Sequence, residues 1–464
     1  LRNTAIFNFE HLFEIFGEQP LNNFKTDFKS VGVSTDTRTI ASGNIFVALK
    51  GEKYDAHNNL QEAIAKGASA LIINHSFYQS SERRFDIPLI IVNDTLDALG
   101  SLANYHRNRF KIDIICVGGS NGKTTTKEMI ADILSKKYTT LRTYGNYNNR
   151  IGVPLMLFQL NESHQVAVLE IGTNEPGEIS ILSKMIEPNF GLVTNIGREH
   201  LEKLEDIDGV EMEETYLFGY LRKQAGTAFI NMDDERLRRY YQVVEKRVVF
   251  GNEDGLHVSF KTIFDSELRG ILYVTADEKR FSVKLNSQGK AIAKNATAAI
   301  AVGLKFGIET EDIKAAIQNF KPSEDADYAR GAIKRIDNMI LINDSYNANP
   351  ESMLLSLETL AEYPSTAIKV AVLGDMREMG DHTLQAHLEI LQAAAKYADK
   401  VFLYGTEFKN ALENFQPKNE NIIHFEEQAS IANTLKELGE SVVLLKGSRG
   451  LKMEEVINKL LLQS

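Results

Sequence analysis

Gly118-Gly119-Ser120-Asn121-Gly122-Lys123-Thr124-Thr125-Thr126 separates an apolar run, residues 112–117, from a segment whose apolar positions recur at helical spacing. The run reads as a strand. The segment reads as a helix beginning near Thr124, with Met129, Ile130, Ile133 and Leu134 on one buried stripe. Between them the glycines let backbone N–H groups turn toward phosphate oxygens, Lys123 adds a mobile positive charge, and the Thr124 hydroxyl stands where a magnesium shell needs an oxygen. Gly119, Ser120, Asn121, Gly122, Lys123, Thr124 and Thr125 are therefore the expected nucleotide-binding residues, with ATP or GTP as the ligand. The common form of this loop carries a glycine where this chain has Val117, so the loop is a compact subtype.

Working outward, a chain of 464 residues predicts about three domains at ~150 residues each. Residues 1–110 mix short strands (45–49, 70–73, 89–92) with a helical stretch over 60–66 and a closing helix over 96–109, a small α/β module. Residues 111–321 hold the phosphate loop, then strands over 166–169 and 191–194. The first of these ends at Glu170 and the second leads to Asn195 through His200. Open parallel α/β sheets bind ligands at the carboxyl ends of their strands, so Glu170 and His200 fall where a nucleotide site wants them. A β-rich stretch (248–285) and an alanine-rich helix (291–306) follow, and Phe320-Lys321-Pro322 reads as a linker. Residues 322–464 alternate strands (339–342, 369–373, 400–404, 442–445) with helices, which predicts a second parallel sheet.

Composition narrows the partners. With 43% hydrophobic and 25% charged residues the chain has material for several cores, and no apolar run approaches the ~18 residues of a membrane span. The net charge of -11 argues against nucleic acid or an anionic membrane as partner, so a polyanionic substrate must be met by local cations, helix N-termini and metal. The single cysteine, Cys116, can form no internal disulfide and reads as a small buried apolar residue. The chain opens at Leu1 without a signal-peptide pattern, which reads as a start lacking its initiator methionine and as a cytoplasmic protein.

Five further patterns accompany the phosphate loop: Ser34-Thr35-Asp36-Thr37-Arg38 with residues 46–51 and Asp55-Ala56-His57; Gly145-Asn146-Tyr147-Asn148-Asn149 with residues 151–155; Asn195-Ile196-Gly197 with His200-Leu201-Glu202; Asp344-Ser345-Tyr346-Asn347-Ala348-Asn349-Pro350; and Lys446-Gly447-Ser448-Arg449. Together they resemble the Mur ligases of peptidoglycan synthesis over residues 32–454. The 344–350 motif and Leu373-Gly374-Asp375-Met376-Arg377-Glu378-Met379-Gly380 are similar to the member acting last. The resemblance implies a three-domain α/β architecture: an N-terminal UDP-substrate domain (1–110), a central P-loop ATPase-like parallel sheet (111–321) and a C-terminal Rossmann-like ligase domain (322–464). It implies ATP and Mg2+ as cofactors, a monomer, and substrates UDP-N-acetylmuramoyl-tripeptide and D-alanyl-D-alanine, joined through an acyl phosphate. By the same resemblance Lys123, His200 and Arg330 are catalytic, Asn295 lies near adenine, and Asp344 holds the ribose. Thr124, Glu170 and His200 hold metal, while Ser34, Asp36, Arg38, Asn148, Asn149, Asn347, Asn349, Lys446 and Arg449 meet substrate. Turn chemistry is the competing reading for Ser34, Asp36, Asn148 and Asn149, and an exposed loop pair for Lys446 and Arg449.

Two departures stand out. Where the family usually reads Gly-Arg-His-Asn, this chain has Gly289-Lys290-Ala291-Ile292. The lysine that the family carbamylates to hold a second magnesium falls on Glu214, which carries an anion without modification on a shorter stem. Glu214 is read as a metal ligand. The alternatives are that Glu211 or Glu213 contributes instead, or that Glu214 is one acid on a charged helix face. Competing functions are a sibling amino-acid ligase, a folylpolyglutamate synthetase, or a nucleotide-binding regulator without ligase chemistry.

Overall fold

The computed structural model of the chain describes residues 1–81, 85–321, 332–416 and 418–462. Pro322 of the expected linker and Arg330 lie outside the described residues. The chain forms two compact units that interleave along the sequence. One comprises Leu1–Cys116, Tyr138–Gly172 and Glu178–Phe190; the other comprises Val117–Lys137, Thr173–Gly177 and Gly191–Ser464.

The first unit holds a five-stranded sheet in the order Leu21–Asn22, Leu89–Val92, Ala70–Asn74, Ile45–Val47, Val33–Ser34. All pairings are parallel except the outermost one, between Leu21–Asn22 and Leu89–Val92. Such strands are buried on both faces, which is why Ala70–Asn74 and Leu89–Val92 read as continuous apolar runs rather than alternating ones. Phe46, Leu71 and Ile73 pack with Leu60 and Ala63 in one core. The helix Thr95–Asn108 starts where Asp94 accepts from the N–H groups of Leu96 and Asp97. The strand Val166–Glu170 pairs in parallel with Thr140–Arg142.

His106, on the buried face of Thr95–Asn108, bonds the Leu160 carbonyl through Nε2 at 3.0 Å and packs against Phe7, Phe110 and Phe158. Burial holds its imidazole down to about 4. Because the folded value is depressed, the unfolded chain binds the extra proton first as pH falls below ~6.5, and stability drops from there toward pH 4. Over pH 6.5 to 5 this one group removes about 2 kcal/mol. Urea unfolding at pH 7 and pH 5 should show that loss in the parent protein, and a pH difference smaller by about that amount in His106→Leu. An identical difference in both would rule out this histidine as an acid-sensitive site.

In the second unit, Thr227–Asn231, Arg247–Gly251 and Val258–Phe264 pair in parallel, after which Val258–Phe264, Arg269–Ala276 and Lys279–Gln288 run antiparallel. The outer strand Lys279–Gln288 buries Val283 and Leu285 and exposes Ser282, Lys284 and Asn286 between them, the two-residue period of a half-buried strand. The alanine-rich helix is Lys290–Lys305. A six-stranded sheet follows, ordered Ala332–Ile336, Met339–Asn343, Ser441–Lys446, Ile368–Gly374, Lys400–Tyr404, Ile422–Phe425, and parallel except for its first pair. Its core gathers Leu341, Val370, Val372, Phe402, Val443 and Leu445 with helix residues Ile431 and Leu435. The expected mixed α/β class with parallel sheets is the fold observed. Among the described residues no helix is long and apolar enough to cross a membrane.

Candidate active site

The strand Asp113–Gly118 delivers the chain into the phosphate loop, and the helix Lys123–Leu134 takes it away. Gly119 has φ +109°, and a Cβ there would lie 2.4 Å from Thr194 Oγ1, so no other residue fits. Gly122 has φ +80°, and its missing Cβ leaves room for Asn295, whose Oδ1 would be 2.2 Å away. The Gly122 N-cap carries no side chain, so the first N–H groups of a twelve-residue helix are left for an anion. The segment 194–197 braces the loop. Ser120 N donates to the Asn195 carbonyl at 2.9 Å and Asn121 N to Asn195 Oδ1 at 3.1 Å. Asn195 Nδ2 returns a bond to the Asn121 carbonyl at 2.8 Å, and Ser120 Oγ exchanges bonds with the Gly197 backbone. Thr124 is half-buried and Thr125 buried on the first turn. Cys116 is buried in the preceding strand, where burial pushes its thiol pKa up and away from reactivity.

Lys123 folds back over this loop, donating to the carbonyls of Gly119 and Ser120, and its ammonium lies 3.6 Å from Glu199 Oε2. The side chain is 16% exposed, so it is not the freely solvated cation that a loop lysine suggests. Glu199 is buried, and its Oε1 has no hydrogen-bond partner among the described residues. Glu214 is fully buried at the end of the helix Ile207–Glu214. Its Oε2 accepts from Gly119 N at 2.6 Å, and its Oε1 has no partner. Burial pushes its carboxyl up to about 7; Lys123 works against that shift and Glu199 with it. The reading of Glu214 as surface charge is thus overturned, because this acid is packed against the loop. Its neighbours are committed elsewhere: Glu213 accepts from Gly177 N and Thr173 Oγ1, and Glu211 pairs with Arg236.

His200 has φ +51°, a left-handed conformation uncommon outside glycine, at the start of the short helix Leu201–Leu204. Its Nδ1 pairs with Glu378 and its Nε2 lies 4.0 Å from Glu199 Oε2. Burial pulls its pKa down, but the Glu378 bond and the charges of Glu199 and Glu378 outweigh it, and the net shift is upward. Arg198, beside them, is held by Glu351 at 2.7 Å and by both oxygens of Glu389. Asn349 caps the helix Pro350–Glu362 and donates to Asn121 Oδ1 at 3.0 Å. Asp344 Oδ2 accepts from Lys446 Nζ at 2.6 Å and from Ser356 Oγ at 2.7 Å. Lys446 is only 2% exposed and also reaches the Asn347 carbonyl, so the exposed-loop reading fails for it. Asn347 Oδ1 accepts from Ala348 N, while Arg449 pairs with Glu454 and lies over the Tyr346 ring. The motif around Glu378 joins this cluster by accepting from Glu202 N at its carbonyl.

Within the first unit, Glu170 is buried, its N–H donates to Thr143 Oγ1, its Oε1 accepts from Asn148 Nδ2 at 2.9 Å, and its Oε2 has no partner among the described residues. Asn149 Oδ1 accepts from the N–H groups of Ile151 and Gly152, so this side chain serves a turn. Ser34, Asp36 and Arg38 also bond one another, with Asp36 bidentate to an Arg38 side chain that remains 87% exposed. Sequence reasoning missed Glu199 and Arg198, although both sit inside the Asn195–Glu202 pattern; nothing in their spacing says which charged loop residue turns inward.

Residues 117–303 match the Mur ligase middle domain, and residues 329–449 match the Mur ligase glutamate ligase domain. The chain is 33% identical over 446 residues to UDP-N-acetylmuramoyl-tripeptide--D-alanyl-D-alanine ligase of Haemophilus influenzae, covering 92% of this chain and 93% of that one. Its fold superposes on MurF from Acinetobacter baumannii with a TM-score of 0.87, 30% identity and 99% coverage of both chains. MurF ligase of Thermotoga maritima, solved in complex with ADP, superposes with a TM-score of 0.82 at 26% identity, covering 92% of this chain and 96% of that one. On the phosphate loop, the paired parallel sheets and likeness along nearly the whole chain, this protein belongs to the Mur ligase family, with the UDP-N-acetylmuramoyl-tripeptide--D-alanyl-D-alanine ligases.

Proposed function

We propose that the chain joins D-alanyl-D-alanine to UDP-N-acetylmuramoyl-tripeptide at the expense of ATP. The observation that carries this reading is the phosphate cradle at Gly119–Lys123, set in a chain similar over 92% of its length to ligases named for that reaction. The tripeptide carboxylate attacks the γ-phosphorus, ADP leaves, and the amine of D-alanyl-D-alanine then displaces phosphate from the acyl phosphate. Two anions must meet in the first step. Lys123 and the free N–H groups of its helix supply fixed positive potential there, and Lys123 only has to exchange loop carbonyls for phosphate oxygens. Arg330 is proposed to face the transferred phosphoryl group. Asp344 is proposed for the ribose, held in place by Lys446 and Ser356, and Asn295, against Gly122, for the adenine side.

Magnesium would neutralise charge on the phosphate oxygens and so leave the γ-phosphorus more open to attack. The buried unpartnered oxygens fit a hard cation that prefers carboxylates and water. Thr124, His200 and Glu214 are the proposed ligands in the second unit, and Glu170 is proposed for the same chemistry in the first. We also propose that residues 1–110 take the UDP end of the substrate through Ser34, Asp36 and Arg38, that residues 111–321 take ATP, and that residues 322–464 complete the ligase through Asn347, Asn349 and Arg449. Asn148 and Asn149 are proposed to meet substrate as well. Similarity to the UDP-N-acetylmuramoyl-tripeptide--D-alanyl-D-alanine ligases favours this reading over the sibling-ligase and regulator readings.

The test is interception of the activated acid. Hydroxylamine given with ATP, magnesium and UDP-tripeptide, without D-alanyl-D-alanine, should yield a hydroxamate in step with ADP release. Steady ligation with both substrates and no hydroxamate at any hydroxylamine concentration would refute an acyl phosphate open to external nucleophiles.

A further inference from the structure

Arg198 and Lys290 have no part in the chemistry assigned so far, yet both are tied to the same helix. Every side-chain nitrogen of Arg198 is engaged: Nε donates to Glu351 Oε1 at 2.7 Å, while Nη1 and Nη2 donate to the two oxygens of Glu389 at 2.7 and 3.1 Å. Its backbone N–H completes the grip, reaching Glu351 Oε2 at 2.9 Å. Lys290, within the Gly289–Ile292 stretch where the chain departs from the family pattern, donates to Glu362 at 2.7 Å and to Glu358 at 3.4 Å. Glu351, Glu358 and Glu362 recur at spacings of seven and four along the helix Pro350–Glu362, so they form one acidic stripe down a single face.

That helix orders two groups at the nucleotide site. Asn349, its cap, donates to Asn121 Oδ1 in the phosphate loop at 3.0 Å, and Ser356 donates to Asp344 Oδ2 at 2.7 Å. The seat is close, since a Cβ on Gly197 would lie 3.1 Å from Glu351 Oε2 and 3.3 Å from Asn121 Nδ2. From this arrangement we propose that Arg198 and Lys290 are positioning residues for nucleotide: by gripping the acidic stripe at its two ends they hold Asn349 and Asp344 against the phosphate loop, without touching nucleotide themselves. The inference rests on the proposed ATP-dependent ligation for its purpose. When one grip is lost, the helix is seated for only part of the time. The apparent affinity for nucleotide then falls in proportion to the seated fraction, whereas saturating ATP restores the arrangement. The signature is a higher KM for ATP at a nearly unchanged kcat.

The experiment measures KM for ATP and kcat in ligation and, separately, the Kd of N-methylanthraniloyl-ADP by fluorescence anisotropy, all on the full chain with magnesium present. Lys290→Glu turns an attraction into a repulsion and should raise both KM and Kd by about tenfold, with kcat kept within about threefold. Glu362→Lys added to it restores the pair with its charges exchanged, and should return both constants to within about threefold of the parent. Arg198→Gln should raise them in the same direction, and it stands by itself if circular dichroism shows that Lys290→Glu does not fold. A purely structural role would lower resistance to urea without moving KM and Kd apart from kcat. Constants unchanged in the single variants, a charge-exchanged variant no better than Lys290→Glu, or a fall in kcat alone overturns the positioning role. Ligation by the parent protein, measured in parallel, separates the two ideas. Ligation with unmoved constants sinks the positioning role alone, and the expected pattern of N-methylanthraniloyl-ADP binding without ligation sinks the ligase reading alone.

Discussion

Replacing Lys123 with alanine is expected to cut ligation by about 10²- to 10³-fold while the protein stays folded. The effect on rate follows from where the ammonium stands. It rests on the Gly119 and Ser120 carbonyls at the mouth of a helix whose first N–H groups have no intrahelical partner, so it is the one side-chain cation of the loop placed to meet phosphate charge as it develops. The effect on stability is smaller, because the glycine turns and the 194–197 brace that shape the loop do not involve the lysine side chain. Loss of the Glu199 pair costs about 1 kcal/mol, and Glu214, already raised by burial, can relieve the unpaired charge by taking a proton. Phosphate release in the presence of both substrates, beside far-ultraviolet circular dichroism, checks the two halves together. Ligation within a few-fold of the parent would remove this loop from the chemistry.

Asp344→Asn is expected to destabilise the protein by about 3 kcal/mol, in addition to any loss of nucleotide binding. Lys446 is the reason. Its ammonium is 2% exposed and held by Asp344 at 2.6 Å, with the Asn347 carbonyl as its one further hydrogen-bond partner among the described residues. Removing the carboxylate strands a buried positive charge, whereas removing the lysine leaves an aspartate that still has Ser356 and some solvent. Lys446→Met on top of Asp344→Asn should therefore restore most of the lost stability, a strongly non-additive cycle. The chain has no tryptophan, so urea unfolding is followed by circular dichroism. Additive losses in the double variant would show that the two side chains do not act as a pair.

The strand, loop and helix around Gly118–Thr126 were legible because three independent local signals coincide there: an apolar run, glycines where φ is positive, and a helical stripe. The parallel strands of both sheets were legible for the same reason, as continuous apolar runs bounded by turns. Side chains whose meaning is tertiary were not. Lys446 looks like a loop cation until Asp344, 102 residues away, is brought against it. Glu211, Glu213 and Glu214 look like one charged face, yet the first meets Arg236, the second caps Gly177 N–H, and the third enters the core. Asn295, read on a helix where an asparagine is usually just exposed, lies against Gly122 only because that glycine lacks a Cβ. The compact units also interleave along the chain, which a search for linkers between successive segments has no means of finding.

The outer strand Lys279–Gln288 sets how the protein behaves at high concentration. An edge strand offers unpaired N–H and C=O groups to any other chain that can lie alongside. Here that edge begins with Lys279 and Arg280, carries Lys284 on its exposed face, and is broken by a register shift opposite Arg269–Ile271. A second copy presenting the same strand would bring positive charges near one another and meet a kinked ladder, so sheet-to-sheet aggregation is discouraged at this edge. The lysines of this strand are then a safeguard of solubility during synthesis and crowding, separate from anything the nucleotide loop requires.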